Sequence, residues 1–521
     1  MDWTGISRTT VLCLSLGFCV SSNALAAPTD AQCDARSNDT QSLLLECVQQ
    51  KSLWKHLSVF QSIADQNPGK NGHGNRDTGT PGYKASAQYV AALMRQAGYT
   101  VTVQSYNWTD FNVDGEPIFR TAARSYTLSQ DWFVARLSGS GTVTAPVQPV
   151  GRNGAAAGDE SISGCSPADF TNFVPGHIAL VQRGSCGFDT EVENAEAAGA
   201  VAVVICNSAG TSGEAGGKER SDGGAFRAML VDTANIPVAG VVSYALGAEL
   251  ARQYGAGSPT EAHLDIRTRR TSDVDYNVIA DSPFGDAGKI VVVDAHLDSI
   301  YGAGMLDNAS GSTTILEIAL KMAHTKTQNR LRYIWFGGEE LGLLGSHYYT
   351  RNLSQKDLHR IVFDIDVDVT ATPNFDILVA DPANAFNVER FPPNVVRNSR
   401  VGNRDFADYF RSAGILSRNA RFGNDGTDSN AFSLVGVPDS GILTQQDCCK
   451  KYWEVDLWGG FPGDYEGKVP GFGGACVDKP DRWCDNLSNN DPFVLEFVSK
   501  AVAAVTLKLS NDPSLKGIAP E

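Results

Sequence analysis

The chain has 521 residues and a formal charge of −16, with 42% apolar and 20% charged side chains. So long a chain exceeds what one hydrophobic core usually supports, so two or more domains are expected. The acidic balance excludes nucleic-acid backbones and anionic membrane surfaces as main partners, because both demand a basic face.

At the N-terminus Arg8 precedes the apolar stretch "TVLCLSLGFCVSSNALA", and small residues follow at Ala24, Ala26 and Ala27. This is the shape of a signal peptide over residues 1–27, and the expectation is a secreted or periplasmic protein. No later segment offers about 18 uninterrupted apolar residues, so no membrane span is expected. Nine cysteines lie beyond this leader, and an oxidising compartment allows short-range pairs: Cys33 with Cys47, Cys165 with Cys186, and Cys476 with Cys484. The odd count leaves a thiol over among Cys206, Cys448 and Cys449.

Leu53, Leu57, Phe60 and Ile63 repeat at helical spacing, and "KASAQYVAALMRQAGYTVTVQSYNW" reads as a second amphipathic helix ended by Gly98 and followed by a strand. Between about 136 and 270 glycine and alanine become dense. Strand-like pieces such as "HIALVQRG" and "GAVAVVICN" there flank a helix at "DTEVENAEAAGA". From "DYNVIAD" onward buried-strand runs alternate with helices, which implies an α/β layer fold around a mixed, largely parallel sheet flanked by helices.

Ligands in such folds gather at the C-terminal ends of strands. "VVVDAHLDS" ends with His296 and Asp298, "GAGMLDNASG" supplies Asp307, "YIWFGGEE" ends with Glu339 and Glu340, and "FDIDVDVTATPN" supplies Asp364, Asp366 and Asp368. An acidic pair opening a helix also suits the helix dipole, and a lone Asp is usually solvated. One imidazole with several carboxylates at successive strand ends is harder to dismiss. Nitrogen and oxygen donors without cysteine suit zinc, with manganese or cobalt also compatible, and Asp298 is spaced to orient the imidazole of His296.

In order, "AHLDS", "LDNASGS", "FGGEELGLLGS", "DVDVTATPN" and "GTDSNAFSLVGVP" resemble the secreted di-zinc aminopeptidases related to glutamate carboxypeptidase and the transferrin receptor. Residues 136–270, with "GHIALVQRGSCGFDTEVENAEAAGAVAVVICNSAG", resemble the β-rich protease-associated domain inserted in many members. The resemblance implies a peptidase domain from residues 28–135 and 271–521, with the insert restricting access or binding partners. It also implies a zinc-dependent exopeptidase, most simply an aminopeptidase acting on peptide substrates with two zinc ions. His296 and Asp368 match ligands of one ion, Asp307 the bridging carboxylate, Glu340 a ligand of the second ion and Glu339 the general base. Asp428 matches a further aspartate motif of the family.

The chain departs from the family pattern near its C-terminus. A histidine is usual there, preceded by a tyrosine, yet the last of the eight histidines is His359. Alignment on Cys484 puts Asp481 in the histidine position and Pro480 in the tyrosine position, and Asp366 stands where asparagine is common. Asp481 offers oxygen to the second ion. A non-catalytic binding protein on the same scaffold therefore stands beside the enzyme. Two further histidines draw attention: His347 is expected as a helix-surface or packing residue rather than a ligand, and His73 in a flexible loop bordering the cleft. Glycosylation sequons occur at Asn38, Asn107, Asn308, Asn352 and Asn486.

Overall fold

The computed structural model describes residues 27–516 apart from 70, 152–163, 184–185, 208–223, 231–233, 382–390, 421–426, 447, 472 and 478–482. The leader, apart from Ala27, and the whole stretch holding Pro480 and Asp481 lie outside the described residues.

Among the described residues, fourteen strands form the two large sheets. In chain order they are β1 (Thr100–Val113), β2 (Ile118–Thr121), β3 (Gly141–Pro149), β4 (Ile178–Gln182), β5 (Ala202–Cys206), β6 (Val238–Val242) and β7 (Glu261–Ile266). They continue with β8 (Thr268–Asp281), β9 (Asp286–His296), β10 (Asn329–Phe336), β11 (Ile361–Val367), β12 (Leu378–Ala380), β13 (Arg418–Ala420) and β14 (Asp439–Leu443).

The main sheet has the order β1-β8-β10-β9-β11-β14-β12-β13. Its centre, β10-β9-β11-β14, is parallel, whereas β1, β8 and β12 join antiparallel. Both faces are covered, and the alternation of side chains along each strand shows it. Val291, Val293 and Ala295 of β9 enter a large core with Leu53, Leu57, Phe60 and Val90, which lie on the helices Gln50–Gln66 and Pro81–Gln96. The same core takes in the helices Ala309–Met322 and Pro492–Ser510. Ile290 and Val292 point the other way, to Ile334, Phe336, Tyr349 and Phe432. Burial on both faces is why these strands read as continuous apolar runs.

The inserted module has its own sheet, β2-β7-β3-β4-β5-β6, and its own apolar clusters on either face. Its first strand begins at Ile118, ahead of the change in composition near residue 136. The chain leaves the main domain along β1 and returns along β8. These two pair without interruption from Thr100↔Asp281 to Val113↔Thr268, so they form an antiparallel arm with the module at its end. Arg136 fastens the module to this arm, donating to the carbonyls of Thr109 (3.1 Å) and Leu230 (3.2 Å).

Cys33–Cys47, Cys165–Cys186 and Cys476–Cys484 are disulfides, as the spacing predicts. Cys449 is disulfide-bonded as well, and Cys206 is a free, buried thiol. Bridges of this number belong to an oxidising, extracytoplasmic compartment. None of the described helices is long and apolar enough to cross a membrane.

Candidate metal centre

The strand order sets the site. From β9 the chain passes through the helix Ala309–Met322 to β10 on one side, and then to β11 on the other side of β9. A reversal of this kind opens a crevice beyond the carboxyl ends of the strands. His296 is the last residue of β9, Asp368 follows β11, and Glu339 comes three residues after the end of β10.

His296, Asp307 and Asp368 are buried, and one ligand-type atom of each lies within 4.8 Å of the others. The imidazole Nε2 is 3.0 Å from Asp307 Oδ1 and 3.4 Å from Asp368 Oδ1. Neither of those two buried oxygens accepts a hydrogen bond. The His296 Nδ1 lies 3.2 Å from the Asp298 carbonyl oxygen, to which it donates in one tautomer; Nε2 is then left with its lone pair toward the carboxylates. Two unsatisfied anionic oxygens facing an imidazole lone pair are a donor set for a divalent cation, and the chemistry fits zinc.

Asp298 therefore meets the imidazole chiefly through its backbone; its carboxylate is 3.6 Å from Nδ1. That carboxylate has another task. It accepts from the backbone N–H groups of Glu339 (3.2 Å) and Glu340 (3.3 Å) and from the Thr78 hydroxyl (2.8 Å). The two glutamates occupy a single turn of 3₁₀ helix, Glu339–Leu341, bounded by Gly338 at φ 71° and Gly342 at φ 100°. At Gly338 a side chain would also meet the Tyr106 hydroxyl and Leu344. Asp298 thus orients the acidic pair as well as the histidine.

Asn308 was not foreseen as a site residue, although "LDNASG" contains it. Its amide donates to the Val367 carbonyl (2.9 Å) and accepts from the Val369 N–H (3.1 Å), clasping the backbone on both sides of Asp368. It also accepts from Gly311 N, opening the helix that follows Asp307. One side chain so couples the segments that carry Asp307 and Asp368. Being fully buried, Asn308 and Asn38 are unavailable as glycosylation sites. Asp485 is a second residue the sequence did not flag: its carboxylate accepts from Leu306 N (2.8 Å) and Asp307 N (3.1 Å). Buried Arg76 holds the same loop, donating to the carbonyls of Leu297, Ala303 and Gly304 at 2.7–2.8 Å.

Of the three aspartates at β11, only Asp368 reaches the imidazole. Asp364 and Asp366 lie within the strand and point to a buried row with Asp294, Asp428 and Asp439. Burial pushes the Asp294 and Asp364 carboxyls up, and repulsion from the neighbouring carboxylates adds to it. Asp366 accepts from Ser429 N (3.1 Å). Asp428 belongs to this row, next to the helix Ser429–Leu434. Burial also holds Glu339 well above the usual carboxylate range; His296 opposes the shift, whereas Asp428, Asp368 and Asp307 reinforce it. For His296 burial acts downward, but the carboxylates of Glu339, Asp298, Asp307 and Asp368 outweigh it and raise the value.

His347 sits on the helix Leu344–Arg351, lowered to about 4 by burial and by Arg351, and takes no part in the cluster. His73 stacks on Trp483, with ring centroids 5.2 Å apart, beside the Cys476–Cys484 loop.

Sequence comparison supplies the family. Residues 277–504 match the model of Peptidase family M28, and residues 143–250 match the PA domain. An aminopeptidase of Pseudomonas aeruginosa is 31% identical over 516 residues, covering 95% of this chain and 90% of its own. The chain belongs to peptidase family M28. The probable lipoprotein aminopeptidase LpqL of Mycobacterium tuberculosis is also 31% identical, over 78% of this M28 chain and 76% of its own. An aminopeptidase from Aneurinibacillus sp. strain AM-1 shares the fold with TM-score 0.66 and 21% identity, covering 93% of this chain and 98% of its own. A zinc aminopeptidase from Bacillus subtilis gives TM-score 0.54 at 23% identity, covering 90% and 97%. The M28 peptidase fold with an inserted PA domain is the architecture expected from the motifs.

Proposed function

We propose that this M28 protein is a secreted or periplasmic zinc-dependent aminopeptidase, with His296, Asp307 and Asp368 holding one zinc ion and Glu339 as general base. The observation that carries this reading is the convergence of three buried ligand-type atoms within 4.8 Å. Family membership and the aminopeptidase names of its relatives support it.

Bound zinc supplies Lewis-acid polarisation of the scissile carbonyl and lowers the pKa of water towards about 7. The Glu339 carboxylate accepts the proton of the attacking water and passes it to the leaving amine. Asp298 holds the Glu339 backbone so that the base has a fixed orientation. The surplus of carboxylates selects a cationic terminal amine, whereas a carboxypeptidase needs a basic group at this end of the substrate.

A second ion completes the proposal, held by Asp307, Glu340 and Asp481. The flanks of the loop support this role for Asp481. Cys476 and Val477 donate to Glu466 Oε2 (2.7 and 3.0 Å), Cys484 closes the bridge, and Asp485 is anchored on Asp307. The ligand oxygen replaces the usual imidazole, and with proline in the tyrosine position oxyanion stabilisation is weaker, so turnover falls below that of typical relatives.

Hydrolysis of leucine p-nitroanilide, its loss on chelation and its recovery with zinc test the activity. Equal cleavage of the N-acetylated substrate overturns the aminopeptidase assignment. Zinc analysis of wild type and Asp481→Ala tests the second ion: two falling to one supports it, and unchanged stoichiometry removes Asp481 from the site.

A further inference from the structure

We infer that Arg227, contributed by the inserted module, is a specificity-determining residue that binds a carboxylate on the leaving part of the peptide. Its guanidinium lies over the ring of Tyr301, 5.3 Å from the centroid. Tyr301 stands in the segment that joins His296 to Asp307, so the contact sets a cation from the module on the stretch of chain between two residues of the acidic centre.

Both partners are held in place. Tyr301 has φ 61°, a conformation that a non-glycine residue adopts only when its surroundings enforce it. The enforcement comes from Gly302, whose carbonyl accepts from Arg76 N (3.1 Å) and the Ser299 hydroxyl (2.7 Å) and whose N–H donates to Asp77 (3.3 Å). Arg227 is fixed from either side: Phe226 N donates to the Val241 carbonyl, and the Ala228 carbonyl accepts from Arg136 N, each at 2.9 Å. A left-handed turn in the main domain and a pinned segment of the module thus meet face to face.

The arginine is half-buried, yet among the described residues no carboxylate pairs with it and no hydrogen bond engages its guanidinium. Stacking uses the π face of the group and leaves its in-plane N–H fork available, the arrangement that recognises carboxylates bidentately. The metal centre is strongly acidic and suits the substrate amine. A guanidinium set on the chain between two of its residues supplies the opposite preference at the other end of a short peptide. The shared chemistry is a carboxylate, either the peptide C-terminus or an acidic side chain beyond the scissile bond.

This inference rests on the aminopeptidase reading, and its test separates the two. Leucine p-nitroanilide, which lacks a carboxylate, reports catalysis alone. Leu-Gly, Leu-Gly-Gly and Leu-Gly-Gly-Gly are compared with their C-terminal amides and with Leu-Glu-amide, in wild type, Arg227→Ala and Arg227→Lys. The expected result is a loss of about tenfold in kcat/KM in Arg227→Ala for carboxylate-bearing substrates, partial recovery with lysine, and unchanged nitroanilide and uncharged amide hydrolysis. An effect confined to free acids assigns the C-terminus; one confined to Leu-Glu-amide assigns the side chain. If acids and amides fall together, Arg227 only staples the module to the loop, and if no substrate responds it binds nothing; either overturns the inference. Should the wild type cut no substrate, calorimetric binding of the same peptides decides, with equal affinity of wild type and Arg227→Ala for acids overturning it.

Discussion

Glu339 and Glu340 share one turn and one anchor, Asp298; in the proposed mechanism the first moves the proton and the second holds metal. Glu339→Gln should therefore retain near-normal zinc and lose turnover by about 10²–10⁴-fold, the usual worth of a general base. Glu340→Gln should lose zinc as well as activity. Metal analysis after dialysis, alongside turnover, checks the division; equal zinc loss in both variants removes it. The acidic pair was legible from "WFGGEELG" because its glycines and its place after an apolar run mark a strand end. Asp298 was legible only in part: its proximity to His296 follows from the sequence, but its grip on a turn 41 residues downstream depends on two adjacent strands ending side by side.

At the level of elements, the helix Ala309–Met322 and the loop after β11 are coupled by Asn308. Replacing it by alanine strips the backbone around Asp368 of both contacts. Losses of supporting contacts around metal ligands typically weaken binding by about 10–100-fold, and Asn308→Ala should do so by zinc titration against a competing chelator. Unchanged affinity would show that Asp368 is held by the strand alone. Farther from the metal, Asp439 on β14 is fully buried and hydrogen-bonded with Ser433, and burial raises its carboxyl to about 8. Its folded value lies above its unfolded value near 3.8, so its contribution to stability is full below about pH 4 and lost as pH rises through about 8. Across that window the cost approaches about 1.4 kcal/mol per pH unit. Asp439→Asn should show a smaller drop in Tm between pH 6 and pH 8.5 than wild type. An identical drop in both proteins would assign the pH dependence to other groups.

On the scale of the whole molecule, the module is an excursion from a hairpin-like arm. Val113 and Thr268 are direct partners in the β1–β8 ladder, so the chain leaves and returns at adjacent points. Residues 114–267 can accordingly be replaced by Asn-Gly, a turn that joins such strands with matching twist. Because His296, Asp307, Glu339, Glu340 and Asp368 all lie outside the excised segment, the shortened protein should keep its zinc while access to the cleft widens. Metal loss from a folded version would show that the module shapes the ligand set.

The sequence by itself determined the layer class, the two-part organisation, three disulfides and the family, because each depends on local periodicity or on ordered short motifs. Single motifs also marked His296, Asp307, Glu339, Glu340 and Asp368. Tertiary structure decided which carboxylates share the imidazole. "FDIDVDV" offers three aspartates in alternation, yet the strand stops at Val367, so Asp364 and Asp366 stay within the sheet and only Asp368 turns into the crevice. It also decided the contacts between distant segments: Asp485 on Asp307, Asn308 across to Val367 and Val369, and Arg227 over Tyr301. Those contacts follow from strand order and from the module's return along its arm, which set distances between residues far apart in the chain and leave no periodic trace in either segment.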